Sequence, residues 1–194
     1  MKRRVFIVAM SALILFCLSG SESHAQRHIS GQHVVSVDAF AWKQYGGGIS
    51  WGKYGLYGRS LFGVSFLTGP SESYTVPATK TAEEATYDVL SRDWFASGGY
   101  LFRVVGNRSR SLNLLLGGTV DLGARVHVVP EGSAGVPKAK FIYGVSPVIQ
   151  MEYFPDTNIA LNLHFRPRFQ LYGHKVFERV FYPEFGIGCS FYIL

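Results

Sequence analysis

Residues Val180 to Leu194 read VFYPEFGIGCSFYIL, and apolar side chains recur there at every second position. Phe181, Phe185, Ile187, Cys189, Phe191 and Ile193 share one face. Val180, Tyr182, Glu184, Gly186, Gly188, Ser190, Tyr192 and Leu194 share the other. A period of two belongs to a β-strand, because successive side chains of an extended backbone point to opposite sides. An apolar strand ending a chain needs a partner along its edge, or it becomes a template for aggregation. The closing strand of a β-barrel has such a partner. If its apolar face meets lipid, the barrel lies in an outer membrane.

The alternation is not confined to this stretch. Eight strand-like segments are expected at His33–Trp42, Gly48–Tyr57, Ser60–Thr68, Tyr87–Phe102, Ser111–Val128, Phe141–Phe154, Asn158–Tyr172 and Val180–Ile193. The fifth places Leu112, Leu114, Leu116, Val120, Leu122, Val126 and Val128 on one face, with Asn113, Thr119, Asp121, Arg125 and His127 opposite. The seventh places Ile159, Leu161, Leu163, Phe165, Pro167 and Phe169 against Asn158, Asn162, His164, Arg166, Arg168 and Gln170. Alternation alone fits a soluble sandwich as well as a barrel. Length separates them. Strands of globular proteins average about five or six residues, whereas tilted membrane strands need about nine to eleven. The expected fold is all-β: an eight-stranded antiparallel up-and-down transmembrane barrel.

The connections offer a separate test. In an outer-membrane barrel the periplasmic turns are short and the outer loops long. Gly58-Arg59, Val104–Arg110 and Pro155–Thr157 are short, and Gly69–Thr86 and Val129–Lys140 are long and rich in Pro, Ser, Gly, Thr and Lys. Gly173–Arg179 is intermediate, and Lys43–Gly47 is shorter than the pattern asks. Pro167 within the seventh segment removes a ladder donor, which suggests a bulge. Arg92 and Asp93 are neighbours, so one of them must face the wrong way. Trp42, Trp51, Tyr54, Tyr57, Trp94, Tyr100, Tyr153 and Tyr172 lie towards segment ends, as in the aromatic girdles of membrane barrels.

Lys2, Arg3 and Arg4, then the apolar run Val5–Leu18, then Ser-His-Ala at 23–25 read as a secretory signal peptide cut near Ala25-Gln26. That leaves residues 26–194 as a single domain. Removing the three basic residues and Glu22 from the chain's net charge of +6 leaves +4, with no Lys/Arg run to follow a phosphate backbone. Direct nucleic-acid binding is therefore not expected. Of the two cysteines only Cys189 stays in the mature part, so no internal disulfide can form. No further apolar run is long enough for a membrane-spanning helix.

Charge on the inward faces defines the candidate site: Asp121, Arg125, His127, Glu152, His164, Arg166, Arg168 and Glu184. The interior of a small barrel is filled by side chains, and charges buried there must pair. A structural network plugging the lumen is the expected reading, ahead of a proton or ion path. Ser146 or Ser190 with His127 or His164 would be the raw material for acyl transfer, but no local signature surrounds them. The same histidines with Asp121 lack the close spacing of a metal site. Gly52–Gly58 does not lead into a helix, so it lacks the geometry of a phosphate loop. Asn107-Arg-Ser109 matches a glycosylation acceptor within an expected short turn. No catalytic residue, cofactor or metal is assigned.

Several short motifs carry a resemblance. They are Ala25-Gln26-Arg27 after the signal, Phe141-Ile-Tyr-Gly144, Glu152-Tyr-Phe154, Leu163-His-Phe-Arg-Pro-Arg168 and Phe185-Gly-Ile-Gly188. With them the chain resembles the TraO-like conjugal transfer proteins of conjugative transposons over most of its mature length. The resemblance implies a non-enzymatic structural part of a transfer apparatus at the outer membrane, in contact with membrane lipid and with other apparatus proteins. Two alternatives remain: a generic small outer-membrane barrel acting in adhesion or envelope stability through its loops, and a membrane-embedded lipid-modifying enzyme.

Overall fold

Extended segments with an apolar and a polar face can bury the polar face only by curling it inward, and this chain does so completely. The computed structural model describes residues 31–42, 44–69, 72–76, 85–106, 111–128, 139–155, 158–172 and 181–193. The strands are β1 (His33–Trp42), β2 (Tyr45–Lys53), β3 (Gly58–Thr68), β4 (Glu72–Val76), β5 (Ala85–Gly106), β6 (Leu112–Val128), β7 (Ala139–Tyr153), β8 (Ile159–Tyr172) and β9 (Phe181–Ile193). Each pairs antiparallel with its neighbours in chain order, except that β3 pairs with β5. The β1–β9 ladder, from His33↔Ile193 to Trp42↔Glu184, closes the circle. The wall is thus an eight-stranded closed antiparallel β-barrel, with β4 outside it. No helix occurs among the described residues.

Several boundaries differ from the sequence reading, and β5 runs to Gly106, into the expected turn Val104–Arg110. The expected loop Gly69–Thr86 contains β4, which pairs with the first five residues of β5 from Glu72↔Val89 to Val76↔Ala85. The β5 backbone therefore runs on past the wall as a two-stranded ribbon. The second segment was expected to extend to Tyr57, but β2 ends at Lys53, and the backbone turns where Gly55 N–H donates to Gly58 O at 2.7 Å. Arg59, expected in the turn, is consequently a strand residue paired with Leu101 and bridged to Tyr54. The apolar look of Leu56 and Tyr57 misled: both are exposed turn residues.

No bulge forms at Pro167. The β8–β9 register runs unshifted through Pro167↔Pro183. The β7–β8 shift lies instead at Tyr143/Gly144, where Leu171 is the extra residue between their partners Tyr172 and Gln170. A second bulge on β5 falls between Arg103 and Val105. The signal segment 1–25, the cleavage position at Ala25-Gln26, the Asn107-Arg-Ser109 motif, the loop Gly173–Arg179 and all but the last two residues of Val129–Lys140 lie outside the described residues.

The outward face is apolar on every strand of the wall. Val37, Ile49, Val64, Trp94, Val120, Val145, Leu163 and Phe185 are all exposed there. Outward aromatics pair across strands, with ring centroids 4.7 Å apart for Phe165 and Phe185 and 5.0 Å for Phe169 and Phe181. The inside holds polar residues among three apolar groups, one of them Leu101, Leu115 and Val148. Val34, Tyr54, Phe154, Ala160 and Tyr192 pack near the short-turn end, and Phe40, Leu67, Phe95 and Ile142 towards the other.

Candidate functional site

All eight charged residues singled out from the sequence are buried on the inner face of the wall. Four more inward groups join them. Asp38, Arg59 and Asp93 add charge, and Tyr54 adds a hydroxyl. Tyr54 was expected in the aromatic girdle, and it points inward because it keeps step with buried Gly52, while Trp51 and Lys53 face out. The side chains of Trp42 and Tyr172 lie outside the described set, while Trp51, Tyr57 and Trp94 face outward. The Arg92–Asp93 ambiguity resolves with Asp93 wholly buried and Arg92 outside. A phase signal was available: Asp93 keeps step with Ser91, Phe95 and Ser97, all buried, and Asp38 keeps step with Val34, Ser36 and Phe40.

Near the short-turn end, Glu152 accepts from Tyr54 Oη at 2.9 Å and from Gln150 Nε2 at 3.2 Å, and Arg59 Nη1 lies 3.4 Å from its Oε1. One layer up, Ser190 joins Ser36 at 2.6 Å and accepts from Asn162 at 2.6 Å. Asp121 is the centre of the main cluster. Arg166 Nη2 donates to it at 2.8 Å and to Thr119 at 2.7 Å, Arg168 Nη1 lies at 3.1 Å, and Ser146 also donates to it. Arg168 reaches Glu184 through Nε at 2.8 Å and stacks its guanidinium 4.4 Å above the Phe95 ring. Towards the opposite end, Arg125 grips Asp93 with two bonds of 2.7 and 2.9 Å, and Gln44 adds a third at 3.3 Å. His127 meets Ser91 at 3.3 Å.

His164 stands between Asp38, 3.8 Å from Nδ1, and Glu184, 4.0 Å from Nε2. Its ring occupies the space above Gly186, its register partner on β9. Any side chain at Gly186 would meet the imidazole, and one at Gly188 would meet the Asp38 carboxylate. These two glycines are what let bulky charged groups from β8 and β1 lie across the inside of β9.

Chemically, the arrangement neutralises charge and fills space. Each guanidinium has a carboxylate within ion-pair distance, as charges buried in a low-dielectric interior require. Ser146 is spent on Asp121 and Ser190 on Ser36 and Asn162, and neither has a histidine among these partners. No group of three or more His, Cys, Asp or Glu suited to a metal occurs among the described residues. A lumen cavity of about 40 Å³, lined in part by Asp38, Arg59, Gln150, His164 and Arg166, has the volume of a few water molecules.

A family model described as "Conjugative transposon protein TraO" matches residues 32–193. No curated protein matches the chain. Among solved structures, the chain is similar to the attachment invasion locus protein Ail of Yersinia pestis, with a TM-score of 0.49 and 10% identity over 85% of this chain and 100% of that one. It is also similar to Neisserial surface protein A, with a TM-score of 0.47 and 14% identity over 84% and 94%. A third is the N-terminal β-barrel domain of Pseudomonas aeruginosa OprF, with a TM-score of 0.46 and 12% identity over 84% and 98%.

Proposed function

Because this chain belongs to the family of the conjugative transposon protein TraO, we propose that it is a non-enzymatic outer-membrane barrel serving as a structural component of the DNA-transfer apparatus. The apolar outer wall carries the membrane part of this reading. Val64, Val120, Leu122, Phe141 and Leu163 are among many large apolar residues exposed around the barrel, and a water-soluble protein rarely shows so continuous an apolar surface. The interior supports a structural role, since its charged groups pair with one another.

Residues 1–25 serve in this reading as a cleaved export signal, and residues 26–194 form the mature domain. The rim loops face the cell exterior and the short turns the periplasm. The partners are membrane lipid and other proteins of the apparatus.

Two measurements test the proposal. Fractionation of cells making the tagged protein should place it in the outer membrane, and the unheated form should migrate faster than the boiled form on a gel. Deleting its gene from a transferable element should lower transfer frequency, with recovery on complementation. A soluble periplasmic protein without a heat-dependent shift rejects the barrel's location. Undiminished transfer rejects the role.

A further inference from the structure

Besides its bulge at Tyr143/Gly144, the β7–β8 ladder is interrupted at one place. Its pairs run Gly144↔Gln170 and Val145↔Phe169, then resume at Ile149↔Phe165 in the same register. That register sets Pro147 opposite Pro167. Every other ladder of the wall continues from pair to pair, apart from the single bulge at Arg103/Val105. The gap follows from proline chemistry. On their other sides Pro147 pairs with Gly118 and Pro167 with Pro183, so both rungs there are made by neighbouring amides. Antiparallel residues alternate the side on which they hydrogen-bond, so both prolines turn their bonding side towards each other. Neither has an N–H to give. Two prolines on separate rungs would each remove one bond; on a shared rung they empty it. Between the rungs at Val145 and Ile149, four residue steps or about 13 Å apart at the usual rise, the wall has no ladder bonds.

Behind this gap lies one carboxylate that holds both lips. Ser146, next to Pro147 on β7, donates to Asp121. Arg166 and Arg168, which flank Pro167 on β8, reach Asp121 at 2.8 and 3.1 Å. Asp121 stands on β6 and therefore ties β8 across the intervening β7. Arg168 also holds Glu184 of β9 at 2.8 Å, which keeps the β8 lip attached to the rest of the barrel.

We propose that the β7–β8 seam is the built-in opening point of the wall and that Asp121 is its latch. When the latch is released, the lips separate at Pro147 and Pro167 while the other seams stay zipped. The inference rests on the barrel geometry and is independent of the role in transfer.

Hydrogen exchange of the full mature chain, refolded into phosphatidylcholine nanodiscs, tests it. In the unaltered protein the amides of Val145, Ile149, Phe165 and Phe169 should exchange faster than β6–β7 amides at the same height. Asp121→Asn should speed those four by about tenfold or more, the scale of a lost charge-assisted bond, and leave Val35 and Phe191 in the β1–β9 ladder unchanged. Pro147→Val with Pro167→Val supplies the two missing donors. In that background seam exchange should fall to the β6–β7 level, and the effect of Asp121→Asn should vanish. Uniform acceleration around the barrel, or the same Asp121→Asn factor with and without the prolines, overturns the proposal. Should Asp121→Asn not fold, the comparison of native and proline-free barrels still decides: equal seam exchange in the two refutes it.

Discussion

Arg59 of β3 and Glu152 of β7 come from well-separated strands of the wall and meet in the lumen at 3.4 Å, both almost wholly shielded from solvent. Each neutralises a charge the other could not carry alone at that depth. Removing one member should therefore cost more than removing both. Glu152→Leu is expected to lower stability by about 3–5 kcal/mol, because it strands a buried guanidinium. Arg59→Met combined with Glu152→Leu should recover most of that loss. Urea midpoints of the refolded barrel check this, and a double variant as unstable as the worse single one would count against pairing as the reason.

Gly186 gives a steric prediction. A methyl group there would occupy the place of the His164 ring. Gly186→Ala should lower stability by about 1–3 kcal/mol, as overpacking commonly does. His164→Ala should relieve it, so that Gly186→Ala becomes nearly harmless in that background. Thermal shifts of the heat-dependent gel mobility measure all three variants, and additive losses would mean that the two positions do not compete for space.

The outer wall makes a prediction that depends on height. Val120 is exposed and pairs with Gly98 and Val145 near mid-strand, whereas Lys53 ends β2 beside the short turns. Val120→Arg should cost about 2–4 kcal/mol in a bilayer, the range for a cation at mid-membrane, while exchanging Lys53 for Arg should cost about nothing. Refolding yields into vesicles distinguish them. Equal yields would argue that no apolar phase surrounds the wall.

Cys189 lies on the outward face between Ile187 and Phe191, half-covered by its neighbours. In vesicles its thiol should resist a charged maleimide and should react within minutes once the barrel is opened by heating in detergent. Mass spectrometry reports the adduct, and rapid labelling of the folded form would place that face in water.

The parts of the fold that were legible are those governed by a simple period. β1 begins and ends where the alternation does, and the closing ladder joins the strands expected to meet. The lumen residues of β6 and β8 were readable for the same reason, since a charge in step with other polar groups must face inward. What was not legible depends on partners distant in sequence. Tyr54 and Arg59 look like strand and turn residues until Glu152, some ninety-eight positions from Tyr54, is brought beside them. Pro167 looks like a bulge because its partner Pro147 lies on another strand, and only the register shows that the two share one rung. β4 was hidden because its five residues resemble the polar loop around them and gain a strand's hydrogen bonds only from the extension of β5.

The His33↔Ile193 pair joins residues at the two ends of the described chain. Circularity of this kind has a kinetic side. No local nucleus can complete the wall, because the last ladder forms only after every other strand is available, and such distant contacts are slow to find. Until then β1 and β9 both present open edges, which makes the unfinished barrel adhesive. Pairing with its own copies is therefore a hazard for such a chain until the last ladder forms.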